Sequence, residues 1–297
     1  MTSHARRLQS LDACERQVFT IPTETVDWHA ESIGAGPLIV LLHGTGSSTH
    51  SWRTFAPALA DRYEVVSFDL PGHARSRLKA DHALTLPGMA SALADALAVK
   101  DWVPSGLVGH SAGAAVCVQL MLDHLPADVP IASLNGAFVP FGGPIGQWFG
   151  PLARSLAGNG AVARMIAGRA ESPGAVERVL DSTSSRIDDV FLSGYRHLFG
   201  QPGHIRATLG MMASWDLWPM RVRLDELTAP TTFFFGERDT TVPPHQASET
   251  VVRVSSGTAH SLGPLGHLAH EEDGPGVAAH VHNALTRGAA SLTKDQK

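Results

Sequence analysis

Cysteine is nearly absent from this sequence, with only Cys14 and Cys117 among 297 residues. They stand far apart in unlike contexts, so they form neither a disulfide framework nor a C-x-x-C pair for zinc or redox work. A basic excess is also missing: 23 Lys and Arg face 28 Asp and Glu, for a net charge of −5. That balance excludes the electrostatic footprint of a nucleic-acid binder. Long apolar runs are lacking. The strongest, such as residues 37–42, are strand-sized and far short of the roughly 20 residues a bilayer span needs. Residues 1–19 are polar and Arg-bearing, without the apolar stretch of a signal peptide, so the reducing cytoplasm is the expected compartment. Sixteen histidines invite a metal hypothesis, yet there is no H-E-x-x-H and no dense Cys/His cluster, so neither a metal nor another cofactor is expected. Gly44-Thr45-Gly46 lacks the remaining glycine and the Gly-Lys-Ser/Thr of a phosphate loop.

What is present suits a large enzyme-sized core. Apolar residues make up 43% of the chain, and the length fits one catalytic domain of about 200–250 residues with an insertion. Residues 17–21 and 25–30 look like an opening antiparallel pair. Leu38–Leu42 is a continuous apolar run, as expected of a buried parallel strand. Strands at 65–68, 106–108 and 131–134 then alternate with helices at 52–59, 87–98 and 112–124. From about 140 to 226 the sequence reads as helices punctuated by Gly and Pro, without credible strands. Alternation resumes with a strand at 231–235, a helix at 244–254, a strand at 258–262 and a terminal helix at 271–290. Such alternation predicts a mostly parallel, eight-stranded sheet with helices on both faces. The expected organisation is a core from 1–139, a helical cap from 140–226, and the rest of the core from 227–297.

Gly109-His110-Ser111-Ala112-Gly113 sits where a strand ends and a helix begins. There a G-x-S-x-G makes a tight, strained turn that projects the serine hydroxyl from the top of the sheet. A hydroxyl needs a base, and the base needs an orienting acid. Following the order Ser, acid, His, the acid comes from Gly236-Glu237-Arg238-Asp239, just past an apolar strand. Asp239 is the expected acid, with Glu237 as its rival. The base is expected at His267 in Leu265-Gly266-His267-Leu268. His270, inside the next helix, competes less well and is expected as a surface or supporting residue. Backbone N–H groups should form an oxyanion hole at Ala112 and, from the loop His43-Gly44-Thr45-Gly46, at Thr45.

These motifs, with Asp69-Leu70-Pro71-Gly72-His73, resemble those of the α/β-hydrolase superfamily along nearly the whole chain. One departure is Ala74, where many relatives carry a second glycine. A narrower resemblance rests on longer strings: His43 through Arg53, Leu134-Asn135-Gly136-Ala137 with Pro140-Phe141-Gly142-Gly143, Met211-Met212-Ala213-Ser214-Trp215-Asp216-Leu217, and Gly266-His267-Leu268-Ala269-His270-Glu271-Glu272. Those look like the magnesium-chelatase accessory proteins of bacteriochlorophyll biosynthesis. The resemblance implies a pathway role and a link to magnesium chelatase, without supplying a reaction. Dehalogenases and epoxide hydrolases of this fold use an aspartate nucleophile, so Ser111 argues against both.

Residues 140–226 hold nine arginines, no lysine and eight acids, along with eight of the nineteen aromatics and four of the seven methionines. A cap over the nucleophile shapes the substrate pocket. His110, Trp148, Phe149, Met212 and Trp215 are therefore the expected lining, suited to an apolar or planar small-molecule substrate. Two function classes follow: a serine hydrolase of ester-like substrates, or an accessory protein that binds a tetrapyrrole precursor or the chelatase and uses the triad little.

Overall fold

Leu38–Leu42 (β3) reads Leu-Ile-Val-Leu-Leu and is buried along its whole length. Because strand side chains alternate between faces, Val40 and Leu42 enter one core while Ile39 and Leu41 enter another. A strand apolar on both faces needs covering on both, which is the requirement of a parallel sheet sandwiched by helices.

A computed structural model describes residues 16–139, 159–170 and 172–295. The sheet begins with β1 (Gln17–Pro22) and β2 (Val26–Gly34), an antiparallel hairpin. Beyond β3 come β4 (Glu64–Phe68), the two-residue β5 (Arg77–Leu78), β6 (Gly106–His110), β7 (Ile131–Leu134), β8 (Thr231–Phe235) and β9 (Gly257–Ser261). The main path runs β1-β2-β4-β3-β6-β7-β8-β9, with β5 added beside β2. From β4 to β9 every neighbour is parallel, while β2 meets β4 antiparallel. The eight-stranded, mostly parallel expectation therefore stands, with β5 as an extra strand too short to read from sequence.

One face is covered by α1 (Phe55–Leu59) and, near the C-terminus, by a long helix whose Val277, Val281 and Leu285 pack with Phe55 and Leu59. The opposite face carries α2 (Leu86–Val99) and α3 (Ala112–His124). Their Met89, Leu93, Val116 and Leu120 meet Val40 and Val66. Thr85 caps α2 by accepting from the Gly88 N–H at 3.1 Å, and Pro lies in its first turn, a position where the missing donor costs nothing.

Between β7 and β8 lie α4 (Gly160–Ala170), α5 (Ala175–Asp181), α6 (Asp189–Phe199), α7 (Pro202–Ala213) and α8 (Trp218–Arg221). No strand interrupts them among the described residues. After β8 come α9 (His245–Val251), α10 (Ala269–Glu272) and α11 (Gly274–Asp295).

Among the boundaries that differ from expectation, three have a visible cause. The helix expected at 52–59 splits into a 3-10 turn, Thr49–Trp52, and α1. β2 runs on to Gly34 because its ladder continues onto β4. The terminal helix breaks at Asp273, whose backbone leaves helical space (φ −142°, ψ 71°). Its carboxylate instead accepts from the Gly276 N–H at 3.0 Å and caps α11. Gly274 permits the break, since a Cβ there would stand 2.2 Å from the Thr54 hydroxyl.

Candidate active site

Ser111 occupies the turn between β6 and α3 with φ 52° and ψ −117°. Left-handed φ is costly for a side chain bearing a Cβ, and such strain persists only where the surroundings over-determine it. Here three backbone bonds hold it: the Ser111 N–H donates to Leu134 O at 3.0 Å, and the Ala137 and Ala114 N–H groups donate to Ser111 O at 3.1 and 3.2 Å. The flanking glycines are sterically required. A Cβ on Gly109 would lie 2.4 Å from the Ala114 backbone, and one on Gly113 would lie 2.2 Å from Leu42 O.

His267 precedes α10, and its imidazole reaches back over the turn. Its Nε2 stands 3.1 Å from Ser111 Oγ, and its Nδ1 stands 2.8 Å from Asp239 Oδ2. An Nδ1–H donating to the carboxylate fixes the tautomer that leaves Nε2 free to accept from the serine. Asp239, in the loop after β8, is fully buried. Its Oδ1 accepts from the Thr241 and Val242 N–H groups at 2.8 Å each. Its Oδ2 also accepts from Asn135 Nδ2 at 2.8 Å, so four donors converge on two oxygens. Glu237, the rival acid, is exposed and accepts from the Ser261 hydroxyl at 2.8 Å. It points away from the histidine's partner.

The alpha/beta hydrolase fold family matches residues 37–274 of this chain. The chain belongs to that family. Over 259 residues it is 34% identical to the magnesium-chelatase 30 kDa subunit of Rhodobacter capsulatus, covering 86% of this chain and 90% of the relative. It is 32% identical over 226 residues to the pimeloyl-[acyl-carrier protein] methyl ester esterase of Aeromonas hydrophila, covering 72% and 81% of the two chains. An alpha/beta hydrolase fold protein from Burkholderia ambifaria superposes with a TM-score of 0.69 at 23% identity, over 90% of this chain and 97% of the other. That last likeness speaks for the fold alone.

In this α/β hydrolase the loop after β3 presses on Ser111: a Cβ on Gly44 would lie 3.0 Å from Ser111 Cβ. Thr45 follows at the exposed tip of that loop, and Ala112 is the buried first residue of α3. The loop is pinned from below. The Leu70 N–H donates to His43 Nε2 at 2.9 Å, and the Thr49 N–H donates to Asp69 Oδ1 at 2.7 Å.

The expected pocket residues fare differently. Trp148 and Phe149 lie outside the described residues. Met212 is half-buried. Its neighbour Met211 is the one that meets the loop after β3, its Sδ accepting from the Thr45 hydroxyl at 3.8 Å. Trp215 packs against the core of the α2/α3 face. His110 does not face an open pocket: it is buried behind His267, where its Nε2–H donates to His267 O at 2.9 Å. The reason is alternation, since the residue before a nucleophile at a strand end points to the opposite side of the turn. His270 is no surface residue either. It is fully buried and stacks between His110 at 4.4 Å and Trp52 at 4.5 Å, because α10 is too short to turn it outward.

Burial dominates the electrostatics. It holds the His110 imidazole well below its ordinary range and pushes His270 down to about 3. Nearby, the Tyr195 hydroxyl donates to Glu271 at 2.6 Å. Burial still raises the Glu271 carboxyl to about 8. A cavity of about 1550 Å³ opens beside this group, lined by His50, Arg75, Asp188 and Glu271 among others. Ser111, His267 and Asp239 are not among its walls. Among the described residues, no three His, Cys, Asp or Glu side chains are arranged to hold a metal ion, and no helix is long and apolar enough to cross a membrane.

Two contributors escaped the sequence reading. Asn135 sits at positive φ (48°) just past β7 and donates to Asp239. His204, from α7, donates to Gly46 O in the loop after β3. The first lies within a string quoted above for its resemblance, while the second carries no local signal.

Proposed function

We propose that the protein is a serine hydrolase acting on an ester-like, apolar small molecule through Ser111, His267 and Asp239. The observation that carries this reading is the unbroken hydrogen-bonded line from Ser111 Oγ through His267 to Asp239 Oδ2. In the first step His267 Nε2 takes the hydroxyl proton as Ser111 Oγ bonds to the carbonyl carbon. The carbonyl oxygen becomes an oxyanion facing the N–H groups of Thr45 and Ala112. The C–O bond to the leaving group then breaks, and His267 returns its proton to the departing alcohol. Water, deprotonated by the same nitrogen, releases the acid and restores the serine. Asp239 keeps the tautomer and stabilises the imidazolium without taking the proton itself.

The esterase relative supports an ester substrate. The magnesium-chelatase subunit supports a second reading, in which the chain serves magnesium insertion in (bacterio)chlorophyll formation by binding a tetrapyrrole precursor or the chelatase. The mixed apolar and arginine-bearing make-up of residues 140–226 suits a planar ligand with a carboxylate or its ester as a cap over the site. Hydrolysis of a p-nitrophenyl ester series, compared between the native protein and Ser111→Ala, tests the hydrolytic reading. Turnover that survives in Ser111→Ala, or is missing from the native protein, contradicts it. A porphyrin titration tests the tetrapyrrole form of the second reading, and small esters turned over without any porphyrin affinity would sink that form.

A further inference from the structure

Helix α7 presents His204, Ala207, Thr208 and Met211, spaced at i, i+3, i+4 and i+7, so they share one face. That face rests on two core loops at once. A Cβ on Gly72 would lie 2.6 Å from Ala207 Cβ, which brings the helix down onto the loop after β4. The Thr45 hydroxyl meets Met211 Sδ at 3.8 Å on the loop after β3. His204 bridges the two. Its Nδ1 accepts from the Ala74 N–H at 3.1 Å, and its Nε2–H donates to Gly46 O at 3.1 Å. The ring is 2% exposed, packed edge to face on His73 at 5.1 Å and stacked beside Phe199 at 6.4 Å.

Both anchor points are conformationally special. Ala74 holds φ 45° where a side chain is disfavoured, and Gly46 holds φ 76°. Glycine adopts that region freely, whereas a residue with a Cβ keeps it only when contacts define it. For Ala74, the departure from the family motif, the contact is the imidazole of His204. The peptide joining Thr45 to Gly46 leads directly into the Gly46 carbonyl that His204 grips. Rotation of that segment would move the Thr45 N–H, the donor that the hydrolytic reading assigns to the oxyanion hole.

We infer that His204 is a positioning residue that locks the Thr45 oxyanion donor by clamping the Gly46 carbonyl to α7, with the Ala74 amide as the fixed end of the clamp. The inference rests on the hydrolytic reading above. Only a neutral imidazole with its proton on Nε2 serves both ends, because one nitrogen must accept while the other donates. The inserted helices are thereby coupled to the catalytic loop through one side chain.

The test separates the two ends. His204→Gln carries an amide N–H where Nε2 was and keeps the bond to Gly46 O. His204→Asn keeps an acceptor near the Nδ1 position for Ala74 but does not reach Gly46. His204→Phe keeps the ring and loses both bonds. Steady-state kinetics on p-nitrophenyl butyrate, the rate of fluorophosphonate labelling at Ser111, and thermal unfolding are measured on all four proteins. Misplacing one oxyanion donor is expected to lower kcat about 10- to 100-fold in Phe and Asn, with KM within about twofold of native. Gln is expected to stay within about fivefold of native. A merely structural role would track the unfolding temperature and not set Gln above Asn; should Phe fail to fold, the Gln and Asn pair decides. Folded Phe or Asn variants with native kcat overturn the inference, as does a Gln variant as slow as Phe. A native protein that takes no label at Ser111 overturns the hydrolytic reading itself, and this inference falls with it.

Discussion

Acidifying the protein from about pH 7.5 to about pH 5.5 is expected to destabilise it by several kcal/mol, because the fold buries neutral imidazoles. Burial lowers His50 and His204 to about 4 and His73 and His270 to about 3. The unfolded chain releases its histidine protons near the ordinary 6.5, so between those values it binds protons that the folded state refuses. Stability is therefore fully present above about pH 6.5 and lost as pH falls toward the folded values. Over the stated interval each of these four groups costs about 1 to 2 kcal/mol. Glu271 works in the opposite direction. Its folded value near 8 means that acid returns about 2 to 3 kcal/mol over the same interval. The net loss is about 3 kcal/mol, and His43 and His110, both held well below their ordinary range by burial, add to it. Against a total stability of about 5–15 kcal/mol this is large. Urea unfolding followed at the two pH values reads it directly. His270→Leu provides the internal check, since this ring's nitrogens lack hydrogen-bond partners among the described residues and an apolar replacement removes one titrating group. That variant should lose about 1 to 2 kcal/mol less on acidification than the native protein. An unfolding midpoint that stays level or rises at the lower pH, or a His270→Leu variant with native pH dependence, refutes the reasoning.

Other substitutions probe the site. Asp239→Asn should lower kcat by about 10⁴-fold through the wrong histidine tautomer, whereas Glu237→Gln, which loses only a contact to Ser261, should leave ester turnover within about twofold; equal losses in the two variants would contradict the assignment of the acid. Asn135→Gly keeps the positive φ and removes one of four donors to Asp239, so kcat should fall about tenfold with KM unchanged, in line with about 1.5 kcal/mol for a bond to a charged group; steady-state kinetics on the same ester decide it.

How much of this was legible in the sequence follows from how local each feature is. The run Leu38–Leu42 announced a two-sided strand because five consecutive apolar residues have nowhere else to go. The elbow at Ser111 was readable because its glycines answer to steric demands within a few residues. The exposed edge strand β9 was found only from its place in the alternation, since its own pattern is mostly polar. Features that depend on distant partners were not readable. Asn135 meets Asp239 across 104 residues, and His204 meets Gly46 across 158. Whether His270 was a surface or a supporting residue stayed open, because a helix position says nothing about depth when the helix is a single turn wedged between Trp52 and His110. The break at Asp273 escaped because it answers to the approach of Thr54 to Gly274, again a contact far away in the chain.

The central claim is that Ser111 is an activated nucleophile, and intact-mass spectrometry after treatment with a fluorophosphonate probe tests it most directly. One adduct per chain, mapped to Ser111 and absent from both Ser111→Ala and His267→Ala, is the predicted result at pH 7–8. A native protein that stays unmodified, or an adduct that persists when Ser111 is replaced, would contradict it.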